Sequence, residues 1–200
     1  MNKYTFQSLS LVLTASILTA CASGPMALTP SEMQPFPAAA DRTPIRTPLS
    51  FQIQSSVDQR EMGPHQLGWS GTSADKRRPV VVETTVADLV ADRLRNELNM
   101  RGFQSRPPGD IGLHLVLQKF EVKTDLNGPF QTPTCEAKVM IEMNRTGKTK
   151  KASLQVNSNF MAPAPVFKTE LANSQTVASC LNLVAERIAK SSELQALLTE

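Results

Sequence analysis

The residues of this 200-residue chain whose types invite chemistry are its three cysteines, its two histidines and the triplet Asp58-Gln59-Arg60. A catalytic thiolate needs a cation or a base beside the sulfur, and neither Cys135 nor Cys180 has an adjacent histidine. A zinc site needs several ligands at short, recognisable spacings, whereas His65 and His114 each stand without a second one. The Gly-x-Ser-x-Gly elbow, the P-loop and the Gly-x-Gly-x-x-Gly turn are absent. The expectation is a chain with no catalytic residue, no metal site and no cofactor. Three residues are candidates for binding instead. Asp58 and Arg60 share a face at period 2, which suits an internal salt bridge before it suits a charged ligand. Trp69 lies in a Gly-rich loop, where it either packs on the domain edge or anchors a partner.

Cys21 belongs to a different pattern. Lys3 sets a positive charge near the start, and an apolar run from Leu9 to Ala20 follows. That is the layout of a secretory signal. About 12 residues are too few to span a bilayer as a helix, which takes about 20. Where the run stops, Leu18-Thr19-Ala20-Cys21 resembles the lipobox of bacterial lipoproteins. The resemblance implies cleavage before Cys21 and an anchor of three acyl chains on that residue, enough for stable membrane attachment. An ordinary secretory signal with an incidental cysteine is the alternative. Ala22 stands where an aspartate would resemble an inner-membrane retention signal, so the expected location is the outer membrane, on its periplasmic face.

Residues 1–20 are thus read as a signal peptide, 21–48 as the lipidated cysteine with a tether, and 49–200 as one globular α+β domain. The tether reading rests on Pro25, Pro30, Pro35, Pro37, Pro44 and Pro48, which favour extended, solvated backbone at about 3 Å per residue. The formal charge of +3 falls by one when Lys3 leaves, a surplus too small to suggest nucleic-acid binding. The clusters Lys76-Arg77-Arg78 and Lys148, Lys150, Lys151 read as solvated loop charge rather than as an anion site.

The elements that must position these groups follow from periodicity. Phe51, Ile53, Ser55 and Val57 alternate with polar residues, predicting a strand with one buried face. Residues 58–78 hold glycines and no sustained period, predicting a long loop or irregular hairpin, and Val80-Val81-Val82 a short strand. Thr85 and Asp88 give a helix start, Val86, Leu89, Val90, Leu94 and Leu98 one apolar stripe with Glu97 on the polar remainder, and Gly102-Phe103 the stop. Ile111, Leu113, Leu115 and Leu117 are odd, Phe120 and Val122 even, which predicts a bulge near Gln118-Lys119. Two further strands follow: Cys135 to Met143, with Met140 its one apolar outer residue, then Ala152 to Phe160. A last helix carries Val177, Cys180, Leu181, Val184 and Ile188. The expected fold is a mostly antiparallel sheet with two amphipathic helices packed on one face, in the order β-β-α-β-β-β-α.

With Cys21 assigned to lipid, Cys135 and Cys180 remain, on faces that must meet. They form either a disulfide, in a compartment where disulfides persist, or two buried thiols in one core.

Val57-Asp58-Gln59-Arg60 and Arg101-Gly102-Phe103, together with the lipobox and the element order, resemble the YajG family of bacterial lipoproteins. The long insertion between Arg60 and Val80 and the pair Cys135 and Cys180 depart from that pattern. The resemblance implies an envelope lipoprotein with no assigned enzymatic activity. The expected function is a non-enzymatic interaction or structural module, held to the membrane by its lipid and binding an envelope protein or the cell wall. A small protein that binds or hydrolyses cell-wall fragments through Asp58 or Glu136 is the alternative.

Overall fold

The computed structural model describes residues 24–28, 49–71, 77–125, 132–159 and 169–199. The signal segment, Cys21, residues 29–48, Lys76, Phe160 and Glu200 lie outside them. The described elements are β1 (Met26–Leu28), β2 (Ser50–Asp58), β3 (Gln66–Ser70), β4 (Arg78–Val82), α1 (Val86–Met100), β5 (Gln104–Ser105), β6 (Ile111–Asp125), β7 (Thr132–Arg145), β8 (Lys148–Asn159), α2 (Thr169–Ala189) and α3 (Ser192–Thr199). The class is α+β, but with more strands and one more helix than the periodicity predicts.

The sheet is built around β6. One edge of this strand pairs along its length with β7, which in turn pairs with β8, both antiparallel, as the meander reading requires. The other edge pairs in parallel with β2 (Phe51↔Ile111 to Asp58↔Leu117) and then, farther along, with β3 (Gly68↔Val122 to Ser70↔Thr124). Beyond β3 lie β4, antiparallel, and β1, parallel to β4; β5 caps the outer edge of β2. The expected mostly antiparallel sheet and its strand order are therefore corrected to a mixed sheet. The cause is the return path: β4, antiparallel to β3, and then α1 carry the chain back to the end of the sheet where β2 began, so β6 starts beside β2 and runs parallel to it.

Two register shifts decide which side chains are buried. One falls between Leu117 and Lys119 in the β6–β7 pairing, so Leu117 and Phe120 both face the helices, as the phase change predicts. The other, between Ile53 and Ser55, breaks the alternation expected of β2. Val57 thereby turns to solvent, 44% exposed, instead of joining the core. Gln54, at the shift, lays its amide over Gly112, where any Cβ would meet it at 2.7 Å.

β1 corrects the tether reading over residues 26–28. Met26 and Leu28 are buried, and the Met26 sulfur accepts from Asn173 Nδ2 of α2 at 3.2 Å. The chain therefore joins the sheet only five residues after Cys21. The C-terminal helix also divides, because Ser191 accepts from Leu194 N and so caps a new helix, α3.

α1 and α2 lie side by side on one face of the sheet, with the predicted stripes inward: Val86, Val90, Leu94 and Leu98 from α1, Val177, Leu181, Val184 and Ile188 from α2. Glu97 departs from its predicted polar face; it is buried against Arg101 Nε at 2.8 Å. Phe103 N closes the helix end on Leu98 O, and its ring meets that of Phe51 edge-on at 6.4 Å. Cys135 of β7 and Cys180 of α2 are joined, Cα to Cα 6.1 Å, across 45 residues of sequence. A loop of that length corresponds to about 4 kcal/mol in the chain-entropy account. In oxidised protein both cysteines should resist alkylation until reduced, and reduction should lower the unfolding free energy obtained from urea titration by an amount approaching that figure. Gly68, at φ 152°, has Val122 O only 1.9 Å from where a Cβ would lie. Gly68→Ala should therefore cost about 2 kcal/mol or more, read as a drop in thermal midpoint.

Candidate binding cleft on the open face

β2 and β3 use the same edge of β6 in succession, which leaves a gap in the ladder around Gln118 to Glu121. Gln59 N still reaches Leu117 O at 2.9 Å. Farther on, the gap is closed by a side chain: Arg60 Nη1 donates to Phe120 O (3.3 Å) and to Gln66 O (2.6 Å). Nε and Nη2 grip the two carboxylate oxygens of Asp58 at 2.9 and 2.7 Å, and Nη2 also reaches the carbonyls of Gly63 and Pro64 at 3.3 Å. Every N–H of the guanidinium thus has an acceptor, and its fork geometry is what lets one side chain serve strand, loop and carboxylate together. The Arg60 side chain is 2% exposed and that of Asp58 17%. The pair is a structural clamp, so neither residue is free to take the charged ligand that sequence left open.

Burial pushes the Asp58 carboxyl up, but the hydrogen bonds and charge of Arg60 outweigh it and hold the group below its ordinary range. The sign for stability follows. A depressed carboxylate contributes fully above its unfolded value of about 3.9, and that contribution is lost as pH falls through the lower folded value.

The clamp also shapes the surface. Gln59, Arg60, Glu61 and Met62 form one wall of an open cleft of about 410 Å³, Trp69 another, with Gln118 to Glu121 of the β6 bulge along the rest. Trp69 is 38% exposed and pairs with Lys123 on the face of the sheet away from the helices. The charges nearby are paired with one another: Lys119 Nζ with Glu136 at 2.5 Å, and Lys123 Nζ with Glu121 at 3.1 Å. The bond to Glu136 holds the Lys119 ammonium above its usual value. Two residues back along the same strands, Val57, Val116 and Met140 fall in register and make an apolar row across the open face.

The same face holds a serine, a histidine and a carboxylate. Ser55 Oγ and His114 Nδ1 are hydrogen-bonded at 2.9 Å, and His114 pairs in register with Glu142. Glu142, however, is held by Lys151 at 2.7 Å, which depresses its carboxyl. His65 Nδ1 is turned to Thr84 O at 3.2 Å. Among the described residues no three metal-ligating side chains cluster, and no helix is long and apolar enough to cross a membrane.

A family described as uncharacterised lipoprotein matches residues 39–199. The chain belongs to that family. Its fold is shared by the protein XCC0632 of Xanthomonas campestris, at 10% identity and a TM-score of 0.58, over 86% of this chain and 96% of that one. Two lipoproteins lie farther off. The minor lipoprotein of Acinetobacter baumannii is 16% identical with a TM-score of 0.40, over 55% of this chain and 85% of that one. The rare lipoprotein B of Shewanella oneidensis has the same identity and score, over 56% and 90%. No curated protein sequence matches the chain.

Sequence reasoning reached this lipoprotein's cleft through Trp69, the triplet Asp58-Gln59-Arg60 and the bulge at Gln118-Lys119; Met62 carried no signal, being an isolated flexible residue in a loop. Arg60→Met should cost about 3–5 kcal/mol in urea unfolding at neutral pH by stranding the Asp58 carboxylate, and adding Asp58→Asn should restore part of the loss. Asp58→Asn alone should flatten the fall in stability that the native protein shows as pH drops below about 4.

Proposed function

We propose that this lipoprotein is a non-enzymatic interaction module of the envelope, anchored through acyl chains on Cys21 to the periplasmic face of the outer membrane. Membership of the lipoprotein family supports the anchor, and the YajG resemblance supports the lack of a reaction. The observation that carries the binding role is the open cleft beside Trp69 with its neighbouring row Val57, Val116 and Met140. An exposed aromatic, a thioether and an apolar row, fringed by the Gln59 and Gln118 amides, have the composition of a protein-binding patch: an apolar centre and a polar rim. A protein of the envelope fits this surface better than a cell-wall glycan, because the row asks for apolar contact. The hydrolase alternative would need a free carboxylate pair, and Asp58 and Glu136 are each bound to a cation.

Two measurements check this reading. Labelling cells with a palmitate analogue should mark the native chain and not Cys21→Ser. A photo-crosslinking residue at Val57 or Met140 should trap one discrete envelope protein in intact cells, and Met62→Ala should weaken that adduct several-fold without changing the thermal midpoint. A ladder of unrelated adducts, indifferent to Met62, would remove the binding role.

A further inference from the structure

We propose that the end of the sheet where β1 begins lies against the bilayer, with Arg77, Arg78 and Lys123 on its anionic headgroups and Trp69 at the interface. The inference rests on Cys21 being the lipid attachment point, and it extends that reading to which surface of the domain meets the membrane.

Covalent reach limits how far the domain can stand from its anchor. Arg78 Nε donates to Gly24 O at 2.8 Å, and β1, two residues on, is fixed by its ladder to β4 and by Asn173. Between Cys21 and Gly24 there are three residue steps, which span at most about 11 Å. The headgroup layer on one side of a bilayer is itself about 5–8 Å thick. No conformation of so short a connection lets the domain stand off.

What the registers place at that end is suited to the contact. Ser70 pairs with both Arg78 and Thr124, so the start of β4 and the ends of β3 and β6 lie level with Gly24. Trp69, Arg77 and Lys123 line one small recess of about 50 Å³ there, with Glu121 and Thr124. Lys123 reaches Glu121 at 3.1 Å, and Lys119 bridges Glu121 at 3.9 Å and Glu136 at 2.5 Å, so with Arg77 and Arg78 the cations outnumber the carboxylates Glu121 and Glu136. A cationic surface is drawn to anionic lipid within a Debye length, and tryptophan favours the headgroup level, where its ring is half apolar and its N–H is wet. Basic charge alone would not choose this end, because Arg145, Lys148 and Lys150 surround the β7–β8 turn at the other. That turn lies level with the start of the 15-residue β6, about 40 Å away and beyond the reach of the connection.

Trp69 is the only tryptophan, so its fluorescence reports this contact without labelling. Native lipidated protein would be reconstituted into vesicles of phosphatidylethanolamine and phosphatidylglycerol, with and without bromine on the acyl chains just below the headgroups. The protein should float with the vesicles, and bromination should cut its emission roughly two-fold, as expected of an interfacial tryptophan. Inserting about 20 Gly/Ser residues between Ser23 and Gly24 should leave flotation intact and restore the emission. Flotation with no quenching, or quenching indifferent to the insertion, overturns the proposed orientation while the anchor stands. A native chain that does not float removes the anchor and the orientation with it.

Discussion

The structure depends on one arginine placed inside a broken ladder. Two N-terminal strands share one edge of β6, and the chain between them must leave the sheet and return. Any such excursion strands backbone carbonyls in a partly buried site, where an unmet acceptor costs more than a made bond contributes. Arg60 meets four of them and is itself neutralised by Asp58, two residues earlier. A lysine would carry the charge but not the fork, and so could not hold carboxylate and carbonyls in one plane. The cleft is a by-product of this repair: its walls are the excursion and the β6 bulge.

Other devices close the remaining edges by similar means. Asp110 takes the hydroxyl and the amide of Ser50 at 2.6 and 2.7 Å, tying the start of β6 to the start of β2, and these bonds hold its carboxyl low. Glu97 and Arg101 form a second buried pair at the end of α1. The disulfide fixes α2 to β7, so the second helix cannot slide on the sheet. Among the described residues no helix covers the far face, where Trp69, Val57 and Met140 lie. A lipoprotein domain that leaves an apolar row and an exposed tryptophan among paired charges has a surface for a partner, and the rigidity of the rest holds that surface in shape.

Much of the core was legible because long strands and helices repeat their pattern. Ile111 to Val122 carry enough alternation to reveal even the bulge, and both helical stripes pack where their spacing puts them. The failures have physical causes. β3 was invisible because Leu67 and Trp69 are only two alternating residues, set among glycines. β1 has three residues between prolines, too few for any period. Val57 reads as core until the shift at Gln54, which the sequence does not mark. Pairing direction lies outside periodicity altogether; it depends on the β3–β4 hairpin, half of which carried no period, and on the path of α1 back to the start of β2. In the candidate site, Asp58 with Arg60 was readable at period 2, but the carbonyls around Arg60 come from residues up to 60 positions away.

The central position of β6 has a consequence for the order in which the molecule is made. Its parallel partners precede it by some sixty residues, so β2 and the β3–β4 pair cannot join the central strand until the chain has emerged past Asp125. Such non-local pairing closes slowly. A nascent chain of this design therefore completes its sheet only after the middle of its synthesis, when the centre arrives to join edges already made.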